Sequence, residues 1–270
     1  MSGVVTVVQA RTGSTRLPGK VLLPLAGAPG LLRMVERVRT ARFSGTVVVA
    51  TTTHAEDDVI ETLCRTHDLP VFRGHPTDLL DRHVRAARAF GAEHVVKIPS
   101  DCPLIDPAAI DRVIGFFLAD EESWDYVSNL HPATWPDGND VEIMPLGALE
   151  TAWREAVRAC DREHTTPFLW DHPERFRVGN VAWEAELDLS ATHRFTLDYA
   201  EDHAFLAEVY AALYPVKPHF TLRDVLELLA ERPALRAINA RRLGTNWYAR
   251  HLHELRTITP AEARSATEAA

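Results

Sequence analysis

From Val4 to Leu118 short runs of β-branched residues alternate with longer amphipathic stretches. Val4–Gln9, Thr46–Thr51, Pro70–Phe72 and His94–Ile98 are apolar and too short for helices, which predicts buried strands. Between them, apolar positions recur at helical spacing in Leu31–Ala41, Glu56–His67, Asp78–Phe90 and Pro107–Leu118. Two helix limits are marked in the chain. Asp106 before Pro107 reads as an N-cap with proline at the first helical position, and Gly91 after Phe90 as a C-terminal stop. Such β-α-β-α alternation predicts an α/β domain with a doubly wound, mostly parallel sheet.

Past residue 120 the rhythm changes. Tyr126–Leu130 and Val141–Met144 are short strand candidates on either side of a turn-rich stretch containing Pro132, Pro136 and Asp137-Gly138. Helical patterns follow at Leu146–Cys160 and Asp161–Asp171, then strand-like Arg175–Asn180 and Phe195–Leu197, then helices at Ala200–Leu213 and Thr221–Leu229. This divides the chain into a core over 1–120, an inserted α+β arm over 121–192 and a return to the core over 193–256, together one domain. Residues 257–270, rich in Ala, Thr and Glu, read as a flexible tail.

Composition narrows the class. The chain has 270 residues, 46% hydrophobic and 25% charged, ordinary globular values. A net charge of −9 argues against a nucleic-acid partner, which would need a basic face. Cys64, Cys102 and Cys160 are widely spaced with no C-x-x-C, which fits a reducing cytoplasm and neither a disulfide framework nor a zinc site. No signal segment precedes the first strand, and no apolar stretch is long enough to span a membrane. A soluble cytoplasmic protein is the expectation.

Against this acidic background, the first strand runs into a basic loop: Gln9-Ala10-Arg11-Thr12-Gly13-Ser14-Thr15-Arg16-Leu17-Pro18-Gly19-Lys20. The carboxyl edge of a parallel sheet is where ligands bind. The loop gathers Arg11, Arg16 and Lys20, three hydroxyl residues and two glycines that let backbone N–H groups approach an anion. It is not a Walker loop, because five residues separate Gly13 from Gly19 where that motif has four, and Val21 follows the lysine. A triphosphate is the anion such a loop suits; the plain alternative is a solvated basic turn.

The loop string resembles the signature of the sugar-acid cytidylyltransferases, which activate acylneuraminates and 3-deoxy-manno-octulosonate, and most closely their spore coat polysaccharide biosynthesis branch. Ser100-Asp101-Cys102-Pro103-Leu104-Ile105 and Leu197-Asp198-Tyr199-Ala200-Glu201-Asp202 resemble the two family strings that each supply one metal-binding aspartate. The resemblance therefore implies Asp101 and Asp198 as Mg²⁺ ligands, with Ser100 standing where glycine is usual and Ala200 where proline is usual. Read without the family, each aspartate is equally a helix N-cap. The family reading also implies a nucleotide-diphospho-sugar transferase (Rossmann-like) fold and a homodimer.

Further strings extend the likeness. Thr51-Thr52-Thr53-His54-Ala55-Glu56-Asp57-Asp58 resembles a stretch lining the nucleotide site, although a threonine-rich helix start accounts for it equally. Phe72-Arg73-Gly74 and Asp78-Leu79-Leu80-Asp81-Arg82 also match the branch. Arg73 is the candidate for base or ribose contacts, and Asp81 and Arg82 otherwise read as a helix-surface pair. The nucleotide set is thus Gln9, Ala10, Arg11, Gly13, Ser14, Lys20, Thr51, Thr52, Arg73 and Asp81. Pro136-Asp137-Gly138-Asn139-Asp140-Val141-Glu142 and Arg162-Glu163-His164-Thr165-Thr166-Pro167 resemble family strings too. They nominate Asp140, Glu142, Arg162 and His164 for the acceptor, since carboxylates grip hydroxyls or amines and guanidinium grips a carboxylate, with His164 orienting or packing, although a turn aspartate and a capping ion pair at a helix start account for the strings equally.

The activity expected is Mg²⁺-dependent transfer of CMP from CTP to a small anionic sugar acceptor with release of pyrophosphate, for surface polysaccharide or glycan synthesis. Lys20, Arg11 and Arg16 would stabilise the charge that develops. One alternative is a glycosyltransferase on a related fold, but Asp101-Cys102-Pro103 lacks the second aspartate of an Asp-x-Asp motif. The other is a nucleotide-binding protein without chemistry, against which Lys20, Asp101 and Asp198 speak.

Overall fold

The computed structural model describes residues 3–184, 187–245, 251, 253–256 and 264–265. Four parallel strands carry the amino-terminal half: β1 (Val4–Gln9), β4 (Thr46–Thr52), β5 (Val71–Gly74) and β6 (His94–Pro99). Between them run the hairpin β2 (Pro24–Leu25) and β3 (Ala28–Pro29) and the helices α1 (Gly30–Thr40), α2 (Asp58–Thr66) and α3 (Leu79–Ala89). Then come α4 (Pro107–Ala119), β7 (Tyr126–Ser128), β8 (Glu142–Pro145), α5 (Leu146–Glu155), α6 (Ala159–His164), α7 (Pro167–Trp170) and β9 (Val178–Asn180). Helices α8 (Ala200–Leu213), α9 (Leu222–Glu231) and α10 (Ala234–Ala237) and a short β10 (Arg264–Ser265) complete the order.

The main sheet runs β10-β9-β7-β8-β6-β1-β4-β5, parallel throughout except where β8 pairs with β6 and β7. This is the doubly wound, mostly parallel α/β fold expected. β1 lies inside it between β6 and β4, and its side chains alternate between two layers. Val4 and Val8 pack with α1 and α4 on one face, and Val5 and Val7 pack with α3, α5 and α7 on the other. A third apolar cluster joins Leu104 to α8 and α9 under the carboxyl edge. Residues 121–192 supply β7, β8 and β9, so that segment extends the same sheet.

Two regions depart from the sequence pattern. The helical runs expected over Leu146–Cys160 and Asp161–Asp171 are three helices, α5, α6 and α7. Thr165 sits at φ 75°, outside the helical region, and Pro167 disfavours helix in the residue before it. Phe195–Leu197 joins no strand. Its amides donate to loops instead, Phe195 to the Asp137 carbonyl at 2.7 Å and Leu197 to the Asp101 carbonyl at 2.8 Å. Of the tail expected to be flexible, 257–263 and 266–270 lie outside the described residues, while Arg264 and Ser265 pair with Gly179 and Asn180.

His83 on α3 is fully buried, with Nδ1 2.8 Å from the Leu79 carbonyl. Burial pushes its pKa down to about 3. The unfolded chain takes up this proton near pH 6.5 and the folded chain does not, so stability falls as pH drops from 6.5 towards 3. Each such histidine contributes a slope of up to about 1.4 kcal/mol per pH unit. Asp137 and Asp140, whose pKa values are raised, act in the opposite sense. Comparing His83→Gln with the parent by urea unfolding at pH 7 and pH 5 isolates the term. The parent is expected to lose more stability than the variant; equal losses would contradict it.

Candidate active site

The loop leaving β1 is fixed to itself and to its neighbour strand. Gly19 N–H and Ser14 N–H donate to the Thr12 carbonyl at 2.9 and 2.8 Å, and Ala10 N–H donates to the Ala50 carbonyl at 3.0 Å. Asp57 anchors it: its Oδ1 accepts from Thr12 N at 2.7 Å and Thr12 Oγ1 at 2.8 Å, and its Oδ2 accepts from Thr52 Oγ1. Burial alone would raise the Asp57 carboxyl, but the bonds from Thr52 and Thr12 outweigh it and hold the group low. Gly19 adopts φ 68°, a left-handed turn that glycine tolerates, and delivers Lys20 into a single 3₁₀ turn.

Lys20 Nζ lies 2.9 Å from Asp101 Oδ2 and 2.9 Å from Asp198 Oδ1. Arg16 Nη2 lies 2.5 Å from the same Asp198 oxygen. Residues far apart in the chain thus meet at the carboxyl edge of β1 and β6. The backbone makes the meeting: the Asp101 carbonyl accepts from Leu197 N at 2.8 Å and Thr196 Oγ1 at 3.1 Å, which lays the Asp198 segment beside the end of β6. Burial would raise Asp198, but Lys20 and Arg16 hold it down at about 2. Burial would lower Lys20, and the two carboxylates more than reverse that. Ser100 is not among the described residues with positive φ, so its backbone does not require glycine.

Behind Asp198 is a buried ionic knot. Arg194, 1% exposed at its side chain, donates to both Asp202 oxygens at 2.9 and 3.0 Å and to Asp137 at 3.1 Å, and lies 3.5 Å from Asp198 Oδ2. Asp202 Oδ2 also accepts from the amides of Asp198 and Tyr199, each at 3.0 Å, at the start of α8. The knot fixes the segment that carries Asp198.

Asp137 and Asp140 approach from the loop before β8. Burial and neighbouring carboxylates push Asp137 up to about 8 and Asp140 to about 7. Gly138 between them has φ 102°, and a β-carbon there would lie 2.7 Å from the backbone of Phe195 and Thr196. Gly138→Ala is expected to cost about 1–3 kcal/mol in urea unfolding. Gly147→Ala on α5, with nothing within 4 Å of its β-carbon, is the control and should be neutral or slightly stabilising. Equal stabilities of the two variants would contradict the close approach.

The other expected residues fall in distinct places. Gln9 ends β1, and Thr51 is fully buried with no hydrogen-bond partner for its hydroxyl among the described residues. A β-carbon on Gly13 would meet Glu56 Oε1 at 2.9 Å. Arg73 donates to the carbonyls of Thr52 and His54 at 2.9 and 2.8 Å and pairs with Glu61 and Asp58, which ties β5 to β4 and α2. Asp81 accepts from Trp153 Nε1 at 3.0 Å and Arg85 Nε at 2.9 Å. Glu142 is buried against Lys97 Nζ at 2.5 Å and Tyr126 OH at 2.7 Å. Arg162 donates to Asp78 Oδ2, with Nη2 at 2.5 Å, and to the Trp153 carbonyl at 2.6 Å. His164, pushed down to about 3 by burial and then by Lys97, is neutral at neutral pH.

Sequence reasoning took Arg82 for a helix-surface residue and gave several other participants no role. Arg82 is fully buried, donates to the carbonyls of His75 and Pro76 at 3.0 Å each, and leaves Nη1 unbonded among the described residues. Burial and then nearby Arg11 lower it to about 10. Asp57, Lys97 and Arg194 were likewise given no role, although Asp57 stands in the Thr51–Asp58 string and Arg194 four residues before Asp198.

Two carboxylates within 2.9 Å of one ammonium are no more than twice that distance apart, and both offer hard oxygen ligands. Mg²⁺ uses one or two carboxylates and completes its shell with phosphate oxygens and water, so Asp101 and Asp198 fit such an ion beside a nucleotide. Among the described residues no group of three or more His, Cys, Asp and Glu could hold a metal unaided.

Residues 5–229 match the family described as cytidylyltransferase. An uncharacterized protein of Methanocaldococcus jannaschii is 31% identical over 242 residues, 88% of this chain and 94% of that protein. The spore coat polysaccharide biosynthesis protein SpsF of Bacillus subtilis is 29% identical over 238 residues, 86% of this chain and 96% of its own. Among solved structures, a cytidylyltransferase from Leptospira borgpetersenii serovar Hardjo-bovis superposes with a TM-score of 0.81 at 31% identity, covering 87% of this chain and 97% of that one.

Proposed function

The chain belongs to the cytidylyltransferase family, and from that premise we propose that it moves CMP from CTP to a hydroxyl of a sugar acid or related small anionic acceptor, releasing pyrophosphate. The observation that carries this reading is Lys20 Nζ lying 2.9 Å from both Asp101 and Asp198. A bound Mg²⁺ would be held by those two carboxylates and would neutralise charge on the phosphates.

The remaining roles belong to the chain. The phosphates lie on the loop from Arg11 to Lys20, where Arg16 and Lys20 face the α-phosphorus and stabilise charge on the bridging and leaving oxygens as the acceptor attacks. Asp57 keeps the loop in register by gripping Thr12. Asp198, held ionised far below neutral pH, stays available as an oxygen ligand while Lys20 remains charged. The acceptor enters beside Asp140, Glu142 and His164; Arg162, tied to Asp78, shapes that side from α6.

The test is pyrophosphate release from CTP with a panel of 2-keto sugar acids in the presence of Mg²⁺. Release that depends on one class of acceptor supports the reading and identifies that class. Turnover of a nucleotide-sugar without CTP would point to glycosyl transfer, and tight CTP binding with no release across the panel to a protein without chemistry.

A further inference from the structure

We propose that the cavity behind the Asp101–Asp106 loop is a second oxyanion site, separate from the cationic loop, for a small phosphate- or carboxylate-bearing molecule. The cavity is about 250 Å³ and lies between α1, α8 and the segment before α9, with Arg33, Glu36, Arg37, Tyr210, Tyr214 and His219 in its wall.

Its centre is Arg37. This side chain is buried, only 4% of the residue being exposed. It donates Nε to the Ile105 carbonyl at 2.8 Å, and Nη2 to the carbonyls of Phe220 at 2.9 Å and Leu104 at 3.5 Å. These partners are all neutral. Among the described residues no carboxylate comes within ion-pair distance of Arg37, and its Nη1 makes no hydrogen bond. The equally buried Arg194 meets three carboxylates, and Arg33, one turn away in the same wall, is neutralised by Glu36 at 3.0 Å. A buried guanidinium that meets only carbonyls and, 4.2 Å from its centre, the Phe220 ring has no contacting carboxylate to offset its desolvation. Burial accordingly lowers its pKa, with Tyr210, Asp106 and Asp224, in that order, offsetting only part of that.

An anion in the cavity would supply the missing counter-charge. The phenol rings of Tyr210 and Tyr214 give the remainder of an occupant an apolar wall, and the Arg33 guanidinium stacks 4.1 Å from the Tyr214 ring centre. The placement connects the cavity to the active site. Leu104 and Ile105 follow Asp101 on the same loop, and Tyr210 OH donates to the Pro103 carbonyl at 2.6 Å from the helix that starts beside Asp198.

Isothermal titration of the full chain with inorganic phosphate, and separately with acetate, at constant ionic strength tests this. It is done on the parent, Lys20→Ala, His219→Glu and Arg37→Met. His219 is an exposed wall residue, so its variant folds whatever Arg37→Met does. Saturable binding is expected to persist in Lys20→Ala, to weaken about ten-fold or more in His219→Glu through like-charge repulsion, and to vanish in Arg37→Met. Saturation by phosphate alone assigns a phosphate-bearing occupant, and by acetate alone a carboxylate. Binding that is lost in Lys20→Ala, is unchanged in His219→Glu, or is saturable for neither anion would overturn the proposal.

Discussion

Replacing Lys20 or Asp198 by alanine is expected to lower CTP-dependent pyrophosphate release by about 10²–10³ or more, the loss seen when one preorganised electrostatic group is removed from a transition state. The two variants act from opposite sides of one contact. Lys20→Ala removes the ammonium that lies between Asp101 and Asp198 and leaves two carboxylates facing each other where the proposal puts the phosphates. Asp198→Ala leaves Arg16 and Lys20 without their shared partner and removes a hard oxygen from the place a divalent ion would take. Lys20→Arg should not rescue, because a planar fork cannot replace a point ammonium held by two oxygens at 2.9 Å. Steady-state rates at saturating CTP check this, with circular dichroism confirming the fold. Near-parental turnover in either alanine variant would remove that residue from the chemistry.

The largest effect on stability belongs to Arg194. Arg194→Met removes a cation that touches Asp137, Asp198 and Asp202, and leaves Asp202, fully buried, facing an apolar chain. Breaking a buried ion pair from one side costs about 3–5 kcal/mol, because the stranded charge keeps its desolvation penalty. For a chain of this size that lowers Tm by on the order of ten degrees. Arg194→Met with Asp202→Leu should recover part of the loss, since replacing both partners removes the stranded charge. Thermal unfolding of the three proteins decides it. A single variant as stable as the parent would show that the knot contributes nothing.

The strands and helices of the first half were legible because their apolar positions keep one period each. β1 is a continuous β-branched run, as a strand buried on both faces must be, and α1 and α3 have sharply one-sided apolar stripes. The break-up of α5, α6 and α7 was not legible in the apolar spacing, which runs on: Thr165 closes α6 with a helical bond to the Asp161 carbonyl and then turns to φ 75°, and only Pro167 marks that break in the sequence. Phe195–Leu197 has the composition of a strand, but its amides pair with loops, which composition does not record.

In the site, Asp101 was readable because it follows β6 at the edge where a parallel sheet presents ligands, whereas Asp198 follows a segment that joins no strand and was reached through the family resemblance. Arg82 was not, because an Asp-Arg pair at a helix start has the pattern of a solvated surface, whereas the chain buries Arg82 under the carbonyls of His75 and Pro76. Arg73 illustrates the converse. An arginine at a strand end reads as a ligand contact, yet its nitrogens are engaged by Thr52, His54, Glu61 and Asp58. Which of several charged residues is consumed by internal pairing is a property of three-dimensional neighbours that sequence spacing does not carry.

The central claim is that Asp101 and Asp198 act together with Lys20 on one metal-bound nucleotide. Electron paramagnetic resonance of Mn²⁺ titrated into the parent, Asp101→Ala and Asp198→Ala with a non-hydrolysable CTP analogue tests it most directly. The account predicts one tightly bound Mn²⁺ per chain that requires the nucleotide in the parent and is weakened in both variants. Nucleotide-dependent Mn²⁺ binding that is unchanged in either variant would contradict it.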